Sequence, residues 1–518
     1  MAKYAYNSGM ASWRGKEHLV DGARVAGVVR RLAAVVVAVA LALLAMCFVG
    51  KQDRFSETVG RGPGEVGGGR SALAADTGVA VSRPNILLIT TDDMDERSME
   101  NFPDLQREIG AGSGLGAGAT FENSYVTQSL CCPSRTSMLT GMYSHNHRVR
   151  GNGASFGGLE GFQKEGHERA NIATRLDNGG YRTVFIGKYL NEYRGGYVPK
   201  GWDRWYGYQG GYKGEEFSLF ENGRAVRYDP HRRLDTYVMS DKAVEEIRTS
   251  GDRPFFMWLS FHAPHSPSLY PRKYAAAFSD ARIPRVPSIG EPLLADKPRW
   301  VRKHAGYAPE DEKQRRRLRS MLAVSESVTD VMQTLALTGE LANTYVVFTS
   351  DNGLRLGEHD IPRGKKTAYE EDVSVPLYVR GPGIPAGAVY DNIALNIDLA
   401  PTFADWGDVN APPGADGRSL ASVFENATAP WRTAFLIEHW RDRKADAPYI
   451  PTYKAVHTRD AVYVRYATGE KELYRLDRDP YQLNGSVRDS ALERALKARL
   501  DALRDCAGQG CRTAEDGR

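Results

Sequence analysis

Short continuous apolar runs alternate along the chain with segments whose apolar positions recur every three or four residues. Asn85 to Thr91 (NILLITT) is apolar and β-branched and ends on Asp92 and Asp93, which predicts a strand buried on both faces. Similar runs lie at Arg182 to Gly187, Phe255 to Phe261 and Thr344 to Ser350. Leu318, Met321, Leu322, Val328, Met332 and Leu335 follow helical spacing and predict a helix with one face on the sheet, just before the Thr344 strand. Strands alternating with helices imply an α/β fold with a largely parallel sheet. Past Pro401 the pattern changes. A proline- and glycine-rich loop at Ala411 to Gly417 marks a boundary. Strand patterns follow at Ala434 to Glu438, Tyr453 to Thr458 and Ala461 to Tyr466, and a helix pattern at Ser490 to Arg504. The expected division is a main domain over 83–410, a smaller α+β subdomain over 411–505 and a tail over 506–518.

The N-terminal pattern is different. A polar segment, 1–31, ends in Arg30 and Arg31 and precedes an uncharged apolar run, Leu32 to Val49. The run suits a cleaved export signal or an uncleaved membrane anchor, and both imply an extracytoplasmic protein, secreted or tethered. Residues 51–82 are glycine-rich and poor in large apolar side chains, which reads as a linker.

Composition narrows the partners. Lysine and arginine total 68 against 64 aspartate and glutamate, so no broad basic surface is available for nucleic acid. Arg315, Arg316 and Arg317 could attract a sulfated chain, but such a charge run is more often the solvated face of a helix. Five cysteines are too few for a disulfide framework, although Cys506 and Cys511 are close enough to close a small loop in an oxidising compartment. Cys131 and Cys132 are adjacent, which makes a mutual disulfide awkward and asks for another explanation.

Candidate chemistry sits where strands end. Asp92-Asp93 and Asp351-Asn352 each follow a predicted strand, and ligands of open α/β sheets gather outside the carboxyl ends of strands. Three carboxylates and one amide are hard oxygen donors, suited to calcium or magnesium rather than zinc.

Cys131-Cys132-Pro133-Ser134-Arg135 resembles the C-x-P-S-R signature of the sulfatases, in which the first cysteine becomes Cα-formylglycine. The resemblance continues through TSMLTG (Thr136 to Gly141), GKYLNEY (Gly187 to Tyr193), APHSP (Ala263 to Pro267), SDNG (Ser350 to Gly353), NIDLAPT (Asn396 to Thr402) and ELYRLDRDP (Glu472 to Pro480). It implies an alkaline-phosphatase-like fold, and maturation by a formylglycine-generating enzyme. It also implies that Asp92, Asp93, Asp351 and Asn352 hold a divalent ion, usually calcium, close to modified Cys131. Arg135 matches the arginine that holds the formylglycine, Lys188 and Lys365 the lysines facing the sulfate, and His265 the histidine beside the leaving group. The resemblance implies that one hydroxyl of the aldehyde hydrate attacks the sulfate ester as the alcohol leaves, and that the other then collapses to expel inorganic sulfate and restore the aldehyde, while lysines and cation neutralise charge.

One position departs from the family pattern. Many sulfatases carry a histidine two residues after the first lysine, where this chain has Leu190; Asn191, Glu192 or a histidine of His145-Asn146-His147 are the candidates to replace it. GKYLNEY, CCPSR and HNH resemble the branch of N-acetylglucosamine-6-sulfatases and heparan 6-O-endosulfatases, which implies a 6-O-sulfated glucosamine-type sugar as substrate. Two other functions stand beside this one. The first is an arylsulfatase or a phosphoester or phosphonate hydrolase of the same superfamily. The second is an inactive, membrane-tethered glycan-binding protein, against which the intact set of Cys131, Arg135, Lys188, His265 and Lys365 argues.

Overall fold

A computed structural model describes residues 83–114, 116–210, 216–291, 294–442, 449–485 and 489–517. The apolar run and the glycine-rich stretch before Arg83 lie outside the described residues. No helix among the described residues is long and apolar enough to cross a membrane.

Ten strands form one twisted sheet in the order Val389–Tyr390, Ala119–Phe121, Leu377–Arg380, Thr344–Ser350, Asn85–Asp92, Phe255–Pro264, Arg182–Gly187, Arg204–Gly210, Phe217–Glu221 and Arg224–Tyr228. From Thr344–Ser350 to Arg204–Gly210 the five central strands run parallel. The antiparallel strands lie outside that block. Every residue of Asn85–Asp92 is buried, because helices cover both sheet faces, and the continuous apolar run is the sequence signature of that placement.

The helix Asp311–Leu337 buries Leu318, Met321, Val328, Met332 and Leu335 against this sheet, with Leu322 at the margin. Arg317 departs from the expected solvated face. It occupies the buried stripe four residues before Met321, is 2% exposed, and donates from Nη2 to Asp93 O at 2.6 Å and to Asp95 Oδ2 at 3.1 Å. Arg315 stays on the polar side with Glu312.

A second sheet is antiparallel and built of Ala434–His439, Tyr453–Thr458, Ala461–Tyr466 and Lys471–Arg475 in that order. The helix Ser490–Leu503 covers it with Leu496, Leu500 and Leu503. Residues 506–518 were expected as a tail, and here the structure differs. Cys506 and Cys511 are disulfide-bonded, and Gln509–Asp516 is a helix whose Glu515 is fully buried against Arg432 at 3.0 Å and Arg418 at 3.1 Å. A carboxylate that accepts from two guanidiniums is held in place far more firmly than a free end.

Candidate active site

Four adjacent parallel strands deliver their carboxyl ends to one place. Asn85–Asp92 ends on Asp92, with Asp93 next; Thr344–Ser350 is followed by Asp351 and Asn352; Phe255–Pro264 carries His262 and leads to His265; Arg182–Gly187 leads to Lys188. The last step depends on glycine. Gly187 has φ 108°, and a Cβ there would lie 1.9 Å from Ser260 O, so a side chain would force the two strands apart and move Lys188.

Cys131 is the first residue of a fully buried helix, Cys131–Thr140, that ends on left-handed Gly141. A helix N-terminus favours negative charge, which suits the first residue for contact with an anion. Asn396 anchors this helix: its Nδ2 donates to Ser134 Oγ at 2.9 Å, and its Oδ1 accepts from Thr127 N at 3.1 Å. The asparagine of the NIDLAPT segment therefore positions the loop that enters the Cys131 helix.

Ligand atoms of Asp92, Asp93, Cys131 and Asp351 all lie within 4.8 Å of one another. Asn352 joins them, donating from Nδ2 to Asp93 Oδ1 at 2.6 Å. Three cationic side chains face the carboxylates. Arg135 donates from Nε to Asp351 Oδ2 at 2.8 Å, Lys188 contacts Asp92, and Lys365 contacts Asp93 while its Nζ stands 2.8 Å from Cys131 Sγ. His265 Nε2 is 3.8 Å from Asp93 Oδ2, and its Nδ1 donates to Ser266 O at 2.8 Å.

Burial and charge compete here. Burial alone would raise Asp92, but Lys188, His265, Lys365 and Arg135 hold it well below the ordinary carboxylate range. Asp93 is lowered likewise: Lys365 and His265 outweigh burial. Asp351 is raised, because burial and the Asp92 charge outweigh Arg135. The Cys131 thiol is pushed up to about 12 by burial and Asp92, so at neutral pH it is no thiolate nucleophile. Buried oxygen donors from separate strand tips fit a hard divalent cation.

The expected residues Asp92, Asp93, Cys131, Arg135, Lys188, His265, Asp351, Asn352 and Lys365 thus converge. Of the candidates to replace the histidine absent at Leu190, His147 lies elsewhere: its Nε2 is 3.1 Å from Ser137 Oγ and its Nδ1 accepts from Val149 N, on the far part of the Cys131 helix. His145 is likewise engaged by Glu438 and Cys506 O. Sequence reasoning missed His262, whose ring centroid is 4.9 Å from that of His265 and which groups with Asp92. Burial lowers it to about 3, so it is a neutral imidazole. The signal was its position on the same strand end, three residues before His265.

A family model described as Sulfatase matches residues 84–409. The chain belongs to the sulfatase family. A second model, described as N-sulphoglucosamine sulphohydrolase, C-terminal, matches residues 357–506. The sulfatase chain is 36% identical to the Extracellular sulfatase SULF-1 homolog of Drosophila melanogaster over 69% of its own length, and spans 33% of that protein. It is 32% identical to the N-acetylglucosamine-6-sulfatase of Homo sapiens, covering 83% of this chain and 86% of that one. Its fold matches, at TM-score 0.71 and 22% identity over 84% of this chain and all of the other, a structure described as a complex with its substrate D-glucosamine-2-N,6-O-disulfate.

Proposed function

We propose that this sulfatase hydrolyses a sulfate monoester on a 6-O-sulfated glucosamine-type sugar, with Cys131 matured to formylglycine by a formylglycine-generating enzyme and a calcium or magnesium ion held by Asp92, Asp93, Asp351 and Asn352. The observation that carries it is the convergence of Cys131, Lys188, Lys365 and His265 on one buried group of oxygen donors. The high pKa of the Cys131 thiol supports a modified nucleophile, since the unmodified side chain is protonated and poorly reactive. The relatives named for N-acetylglucosamine-6-sulfate chemistry and the structure with a 6-O-sulfated glucosamine support the sugar.

The aldehyde supplies a nucleophile that is regenerated each turnover, and the cation supplies positive charge beside the sulfate. The chain's own groups do the rest. Lys188 and Lys365 turn from the carboxylates to the sulfate oxygens and neutralise charge there. His265 is oriented by the bond from Nδ1 to Ser266 O, so Nε2 is the atom that carries a proton to the departing alkoxide. Arg135 fixes the nucleophile helix against Asp351. Export is part of the same proposal: a disulfide at Cys506–Cys511, an apolar N-terminal run and an extracellular relative support it, with or without a membrane tether.

Two measurements test this. Mass spectrometry of the peptide containing Cys131 is expected to find the aldehyde in place of the thiol. Sulfate release is expected from glucosamine 6-sulfate. Turnover confined to an aryl sulfate would remove the sugar, and faster cleavage of an aryl phosphate would replace the sulfatase activity altogether.

A further inference from the structure

Arg150 lies in the segment tied to the start of the Cys131 helix. Its Nε is buried without a hydrogen-bond partner, and among the described residues nothing forms an ion pair with its guanidinium. Instead it lies over the Trp440 ring, with Cζ 4.9 Å from the centroid. The next residue repeats the arrangement. Arg441 Nε is also buried without a partner, and its Cζ is 3.8 Å from the centroid of the Tyr449 ring. Two guanidiniums stacked on aromatic rings, neither with an ion-pair partner among the described residues, are pre-oriented and under-satisfied.

Three backbone ties fix this pair to the active site. Gln128 Nε2 donates to Arg150 O at 2.9 Å, Asn152 Oδ1 accepts from Cys132 N at 3.0 Å, and Glu438 N, just before His439 and Trp440, donates to Thr127 O at 2.9 Å. Both the Arg150 segment and the end of the strand Ala434–His439 therefore run along the loop that enters the Cys131 helix. Two buried acceptors have no partner, Gln128 Oε1 on the side chain that bonds Arg150 O, and Asn191 Oδ1 three residues after Lys188. Unpaired acceptors together with unpaired guanidinium donors are the complement of a ligand that carries both hydroxyls and an oxyanion, and leaving such groups unpaired is costly.

We infer that Arg150 on Trp440 and Arg441 on Tyr449 form a second anionic subsite, which takes a carboxylate or sulfo group of the saccharide other than the sulfate being cleaved. The inference rests on the sugar reading of the preceding subsection. A planar guanidinium backed by a ring binds either oxyanion in a paired geometry, and hydroxyls of the same sugar reach Gln128 and Asn191.

Kinetics on the full-length matured enzyme test it with four substrates: a nitrophenyl sulfate, glucosamine 6-sulfate, glucosamine 2-N,6-O-disulfate, and a disaccharide joining a uronate to glucosamine 6-sulfate. The wild type is expected to favour at least one doubly anionic substrate by about tenfold or more in kcat/KM, mainly through KM. Arg150→Gln is expected to erase that preference and to leave the nitrophenyl sulfate and glucosamine 6-sulfate within about twofold of wild type. Arg441→Gln carries the same expectation and serves if the first variant folds poorly. The arm that responds tells a sulfo group on the same sugar from a carboxylate on its neighbour. Equal loss on all four substrates would reduce the two arginines to packing and overturn the subsite. So would turnover of glucosamine 6-sulfate that gains nothing from a second anion, while the sugar reading stood. Turnover of the nitrophenyl sulfate alone would instead remove the sugar reading, and this subsite with it.

Discussion

Arg135 Nε stands 2.8 Å from Asp351 Oδ2, and neither side chain reaches solvent. The same guanidinium donates from Nη1 to Lys188 O and to Ser260 Oγ, each at 2.6 Å. One side chain on the Cys131 helix therefore ties together three strand ends. A lysine has the charge but not the fork, so it cannot reach all three acceptors. Removing one partner of a buried pair strands the other, at about 3–5 kcal/mol. Arg135→Lys and Arg135→Met are both expected to lower the calorimetric unfolding midpoint and to cut kcat by about a hundredfold or more. Adding Asp351→Asn to Arg135→Met should recover part of the stability but none of the activity. An Arg135→Met enzyme that melts like wild type would show that the pair holds nothing in place.

Chelation separates the cation's role from that of the fold. Asp92, Asp93 and Asp351 crowd three carboxylates into one buried place, so a bound divalent ion stabilises the folded chain and has no counterpart in the unfolded one. Treatment with a chelator is expected to abolish sulfate ester turnover, and calcium or magnesium to restore it. At about a hundred times its dissociation constant the ion should add roughly 2.7 kcal/mol to unfolding stability. Asp92→Asn should need more ion for the same effect. Full turnover after exhaustive chelation would leave the four oxygen donors without a catalytic part.

The strand ends were legible because burial on both faces writes an unbroken apolar run, as in NILLITT, and chemistry follows where the run stops. The helix Asp311–Leu337 was legible by its spacing. That spacing also held the clue to Arg317, which falls on the stripe of Met321 and Val324; a charge on an apolar stripe signals a buried partner, here the backbone of Asp93. Other features have no local signature. Arg150 and Trp440 are far apart in sequence and meet only because Thr127 O receives Glu438 N. Glu515 is a single acid near the chain end, and nothing local tells that Arg418 and Arg432 converge on it. His262 was hidden by its neighbour: His265 sat inside the motif and drew the role.

The disulfide Cys506–Cys511 is tied to a short helix of the main domain through one carbonyl. Cys506 O accepts from His145 Nε2 at 2.8 Å and from Asn146 Nδ2 at 3.0 Å, and these residues belong to the short helix Ser144–His147 that follows the Cys131 helix. Asp416 reinforces the tie, accepting from Tyr143 N at 2.7 Å and from Gly508 N at 2.6 Å. Closing so short a loop is worth about 2 kcal/mol by chain entropy. Cys506→Ser with Cys511→Ser is expected to lower unfolding stability by about that amount and to speed amide exchange in Tyr143 to His147. Unchanged exchange there would mean that the loop packs equally well without its covalent bond.

Glu371 gives the fold a pH dependence of unusual sign. With Asp95, Glu96 and Glu358 it lines a cavity of about 280 Å³, and its Oε2 is buried without a hydrogen-bond partner. Burial first, and the neighbouring Glu358 second, push its pKa from 4.5 up to about 8; Glu96 rises to about 8 through burial and Asp95. Arg97 is the nearest cation, at 3.9 Å, too far to offset this. The folded chain therefore holds protons that the unfolded chain releases at lower pH. Between the two pKa values the unfolded state binds fewer protons, so stability falls as pH rises from about 4.5 towards 8. Glutamine keeps the shape and cannot ionise. Glu371→Gln is expected to unfold like wild type at pH 5 and to exceed it at pH 8 by on the order of 1–3 kcal/mol, measured by denaturant titration at both pH values. A gain of the same size at both would trace to packing, and a loss at pH 8 would mean that the ionised carboxylate is stabilised by a contact stronger than Arg97 provides.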